Sequence, residues 1–178
     1  MDRKETTKFL GELLERQYLC GAGRHWAKEV SIDPGSACTH RRIDYMMFQP
    51  PRQCDVADIE KGIFTCYEVK SCKEDVFSGN GLNFIGEKNY IVTTMQCWKN
   101  IMPEYRSGKL LKHIREINPE ASGDHGVMVA IPKKEHWTKN LKIQRRSMIA
   151  CQSGSWRLCF RELAVAGSGQ WSNCYFAC

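Results

Sequence analysis

A chain of 178 residues, 42% hydrophobic and 26% charged, matches one globular domain and is long enough to bury a core without staples. No apolar run approaches the roughly 18 residues of a membrane span. The charged opening MDRKETTKFLGELLERQ reads as an amphipathic helix, not a signal peptide, which points to the cytoplasm. The net charge of +6 leans towards a polyanionic partner.

The ten cysteines form no C-x-x-C pair and have no paired histidine spacing. They read as reduced thiols, mostly small core hydrophobes. The tail CYFAC is the exception, where a disulfide or a metal stays open.

Residues 4–19 predict a helix, with Phe9, Leu10, Leu13, Leu14, Gln17 and Tyr18 on one face, Asp2 and Glu5 as a capping pair, and CGAG as the stop. WAKEVSI at 26–32 reads as a strand, DPGS as a turn and HRRIDYMMF at 40–48 as a second strand. A connection over 49–62 leads to a third strand, IFTCYEVK at 63–70, rich in β-branched and aromatic residues. SCKEDVFSGNGLNF gives a short helical turn and a glycine-broken loop before a fourth strand at 88–94. Residues 103–119 predict a helix with Pro103 in its first turn and Asn118-Pro119 as its end. GVMVAIP at 126–132 is apolar on both faces and reads as a central strand. Beyond 133, LKIQRR suits an edge strand, and 155–167 suits a helix capped by Ser155 and stopped by Gly167. The sum is a single α/β domain: a mixed sheet of about four to six strands flanked by helices, with a C-terminal elaboration over 133–178.

Alternate residues of a strand share a face, so Glu68 and Lys70 point together while Tyr67 and Val69 turn into packing. An E-x-K alone is often a surface ion pair worth roughly 0–1 kcal/mol. Asp44 alters that reading, because aspartate is depleted inside strands and this one precedes Tyr-Met-Met-Phe. If the second and third strands form an antiparallel hairpin, Asp44 and Glu68 meet. Two carboxylates in one place repel, and a divalent cation resolves the conflict; oxygen ligands suit Mg²⁺ or Mn²⁺. Lys70 beside them can steady a water or the charge on a phosphate.

These residues, IDY followed by YEVK, resemble the PD-(D/E)XK nuclease superfamily, and the order helix, three strands, helix, strand is similar to its restriction-endonuclease-like core. RRID…YEVKSCKEDVFSG…KNYIVTT further resembles the MmcB-like branch, in which E-x-K is followed by Ser71, Asp75 and Phe77. The resemblance spans residues 5–131. It implies a Mg²⁺- or Mn²⁺-dependent nuclease acting on DNA, in repair, restriction or mobile-element biology, in a family whose members often work as homodimers. By that likeness Asp44, Glu68 and the carbonyl of Val69 hold the metal, Lys70 orients the water, and Glu12 is an additional acid on the first helix. Gln96 is similar to a glutamine of exonuclease-like members, whose tyrosine four residues on is here Asn100. Ile43 stands where the superfamily's name places proline. Ser71 and Asp75 either start a helix or tune the metal's surroundings.

Lys109, Lys112, Arg115 and the 139–146 cluster with Arg145 and Arg146 would hold the nucleic-acid backbone without reading its sequence, while Arg41 and Arg42, close to Asp44, would contact the scissile region. Each cluster is equally consistent with a solvated face. The alternative to an enzyme is a catalytically silent nucleic-acid-binding or protein-interaction module on the same fold.

Overall fold

The computed structural model describes residues 2–32, 41–51, 56–119, 121, 125–132 and 156–163. Helix α1 (Arg3–Leu14) starts on the expected capping box, in which Asp2 accepts from the Glu5 amide at 2.8 Å and Glu5 accepts from the Asp2 amide at 2.9 Å. The expected final turn is wider than α: Glu15–Leu19 is π-helical. Glu15 there accepts from Tyr45 Oη at 2.9 Å and pairs with Lys28 at 2.6 Å, while Leu19 remains buried. Gly11 lies against the Tyr45 hydroxyl, and any side chain at that position would collide with it.

Strands β1 (His25–Ile32), β2 (Arg41–Gln49), β3 (Ile63–Lys70), β4 (Lys88–Thr94), β5 (His125–Pro132) and β6 (Trp156–Leu163) lie side by side in chain order. The first three form an antiparallel meander; β4 and β5 continue parallel to β3, and β6 closes the sheet antiparallel to β5. The parallel steps need crossovers. A short helix α3 (Lys73–Val76) and a loop bridge β3 to β4, while α4 (Met95–Arg106) and α5 (Lys109–Ile117) bridge β4 to β5. One further turn, α2 (Val56–Ile59), lies in the β2–β3 connection.

The alternation of each strand divides the core in two. Leu10, Leu13 and Leu14 of α1 pack on Tyr45, Met47, Tyr67, Val69, Val92 and Met128. On the other face Val76, Leu82, Phe84, Trp98, Ile101, Leu110 and Ile114 cover Ile91, Val127 and Val129. Cys66 and Cys97 are buried free thiols. Among the described residues no helix is long and apolar enough to cross a membrane.

The architecture is the expected mixed α/β sheet with β5 in its interior, and three local expectations change. The helix starts at Met95, eight residues before 103, so Pro103 lies inside α4. Thr94 caps it, accepting from the Cys97 amide at 3.2 Å. Gly108, at φ 76°, then separates α5. The stretch expected as a helix over 155–167 is strand β6 over Trp156–Leu163. Its apolar positions fit a two-residue period as readily as a helical one, and the edge of β5 offers eight residues of pairing. LKIQRR, Arg145, Arg146 and CYFAC lie outside the described residues.

Candidate active site

The β2–β3 register sets Tyr45 opposite Tyr67, so the next residues outward are Asp44 and Glu68. Tyr45, Tyr67 and Val69 face α1, and the acids therefore face the side of α4 and α5. The hairpin expected from the sequence brings the two carboxylates together. The Asp44 carboxylate also holds the strands beyond their last pair: its Oδ2 accepts from the Val69 amide at 2.9 Å.

Glu68 is 1% exposed and Lys70 5% exposed. Burial, and then the charge of Asp44, push the Glu68 carboxyl up to about 8, against the opposing pull of Lys70. Its Oε1 is buried and meets no hydrogen-bond donor. A buried carboxylate oxygen without a partner is costly unless a proton or a cation satisfies it. Lys70 Nζ donates to the Asn80 carbonyl at 2.7 Å, and Thr93 Oγ1 donates to the Lys70 carbonyl at 2.6 Å.

The loop between α3 and β4 covers both side chains. Gly81 stands so close that a Cβ would lie 2.5 Å from Glu68 Oε2 and 2.9 Å from Lys70 Nζ. The Leu82 backbone hydrogen-bonds to Glu68 and favours its charged form. Asn83 anchors the loop, donating from Nδ2 to the Arg42 carbonyl at 3.0 Å and accepting from Asn118 Nδ2 at 2.6 Å. The glycine-broken loop is visible in the sequence; these contacts are not. The signal available was Gly79 and Gly81 set around an asparagine, in the loop that follows the E-x-K strand and α3.

Ser71 and Asp75 meet at the start of α3, where the cap is not the expected Ser71. The N-cap of α3 is Cys72, and Asp75 Oδ2 accepts from Ser71 N at 3.1 Å and Oγ at 3.2 Å. Asp75 Oδ1 also binds Arg3 at 2.6 Å, joining α3 to α1. Burial opposes ionisation of Asp75, yet the Ser71 amide, Lys70 and Arg3 together hold its carboxyl below the usual range.

Arg42 lies on the same face as Asp44, weakly opposes the upward push on the Glu68 carboxyl, and pairs with Glu29 at 3.6 Å. Arg41 is its half-buried neighbour. Lys109, Lys112 and Arg115 are on α5, on the side of the sheet that carries Glu68; Lys112 pairs loosely with Glu116 at 3.9 Å. Glu12 is exposed on α1, whose leucines cover the opposite face, and its charge bears on Tyr45 there. Gln96 is exposed on α4, donating to Asn100 at 3.2 Å.

Among the described residues no group of three or more His, Cys, Asp or Glu could hold a metal. The oxygens open to a divalent ion are those of Asp44 and the unpartnered Oε1 of Glu68, a donor type that suits Mg²⁺ or Mn²⁺. Comparison with family models, with curated proteins and with solved structures finds no match for this chain.

Proposed function

We propose that the protein is a metal-dependent nuclease hydrolysing the phosphodiester bonds of DNA, built on a PD-(D/E)XK-like site. The observation that carries this reading is the buried Glu68 Oε1, without a partner, beside Asp44 and next to Lys70 on one face of the sheet. Asp44 and Glu68 would hold one Mg²⁺ or Mn²⁺ ion, with the Val69 carbonyl as a further oxygen. Bound there, the ion would supply Lewis acidity towards a phosphate oxygen. Lys70 would orient the attacking water and oppose charge developing on the phosphate. Arg42, Lys109, Lys112 and Arg115 would hold the strand by its phosphates.

The test is incubation with plasmid and linear DNA in Mn²⁺, with and without chelator. The expected result is chelator-sensitive cleavage, lost in Asp44→Ala and Lys70→Ala. No cleavage by the folded protein in Mn²⁺ rejects the enzyme. A second reading, a silent nucleic-acid-binding module on the same fold, draws on the near-complete burial of Glu68 and Lys70 beneath the loop. DNA retained without cleavage would favour it.

A further inference from the structure

A carboxylate and an ammonium on one strand can each adopt several rotamers, so something must fix where their polar atoms point. Three contacts come from one stretch of the loop that covers them. The Asn80 carbonyl accepts a hydrogen bond from Lys70 Nζ at 2.7 Å. Gly81, at φ 75°, closes on the Oε2 side of Glu68. Leu82 contributes a backbone hydrogen bond to the same carboxylate and is itself fully buried. The oxygen left without a donor is Oε1.

We infer that Asn80–Leu82 is the positioning element of the site: it pins the Lys70 amine and turns the Glu68 carboxylate so that Oε1, not Oε2, is presented to a ligand. The inference rests on the metal-site reading above for what that ligand is. Asn80, Gly81 and Leu82 act through Glu68 and Lys70 and touch no reacting atom. Gly81 is required twice: its φ lies in the left-handed region, and a methyl group there would displace both side chains.

The loop contains its own control. Gly79 has φ 79°, close to that of Gly81, but a Cβ there meets nothing within 4 Å. Gly79→Ala and Gly81→Ala therefore impose similar backbone strain and differ in whether a methyl reaches Glu68 and Lys70. The experiment measures Mn²⁺ affinity by calorimetry, cleavage rate, and thermal melting for both variants. We expect Gly81→Ala to weaken Mn²⁺ binding about tenfold or more, and Gly79→Ala to stay within about twofold of the wild type. Equal affinities for the two variants overturn the inference, because strain alone would then account for both.

A metal-free readout separates this inference from the metal reading. The nitrogen-edited NMR signal of the Lys70 amine should be protected from solvent exchange in the wild type and in Gly79→Ala, and shifted or lost in Gly81→Ala. Wild-type protein that binds no Mn²⁺ but shows this amine pattern rejects the metal and keeps the positioning role. An unprotected Lys70 amine in the wild type overturns the positioning role, even if Gly81→Ala fails to fold.

Discussion

Replacing Glu68 by glutamine keeps the shape of the buried side chain and removes its charge. In the folded chain the carboxyl is pushed from 4.5 up to about 8, so the folded state holds its proton more tightly than the unfolded state. The sign follows from linkage: the stability tied to this proton is fully present below 4.5 and is lost as pH rises through about 8. At about 1.4 kcal/mol per pH unit, the displacement sets a ceiling of about 5 kcal/mol. The assay is urea unfolding of wild type and Glu68→Gln across this range, in chelator, reading the difference between the two. Wild type should lose several kcal/mol relative to the variant between about pH 5 and about pH 8. Excess Mn²⁺ at the alkaline end should restore the wild type and leave the variant unchanged. A difference that does not vary with pH would refute the reasoning, since Glu68 would then be neither desolvated nor repelled by Asp44.

Asp75 should behave with the opposite sign. Its folded carboxyl is held low, so the stability that Asp75→Asn removes is present above 3.8 and vanishes as pH falls through the folded value; thermal melts at neutral and acid pH check this. Gly11→Ala should destabilise by about 1–3 kcal/mol, because the methyl meets the Tyr45 hydroxyl where Glu15 holds it; an unchanged melting temperature contradicts the packing of α1 described above. Lys112→Ala combined with Arg115→Ala should weaken DNA binding uniformly across sequences and lower the salt slope by about 1 for each phosphate that is no longer neutralised. A weakening that depends on sequence would mean that α5 reads bases.

The core of the site is legible in the sequence because strand alternation is rigid. Glu68 and Lys70 share a face for the same reason that Tyr67 and Val69 pack under α1. Asp44 can be matched to Glu68 because an antiparallel connection leaves few registers that also bury Tyr45 and Met47. The cover over the site is not legible. Leu82 and Phe84 have positive φ, at 59° and 45°, a conformation that local propensity disfavours for such residues and that tertiary burial imposes here. Strand β6 reads as a helix because WRLCFREL carries both periods, and only pairing with β5 decides between them. The expected start of α4 is displaced because Pro103 suggests a first turn, whereas Thr94 provides the cap.

Anomalous diffraction from crystals soaked in Mn²⁺ tests the central claim most directly. One ion is expected, held by Glu68 Oε1 and Asp44 and lost in Glu68→Gln. Ordered crystals with no ion between the two acids at saturating Mn²⁺, or with an ion bound elsewhere and indifferent to Glu68→Gln, would contradict it.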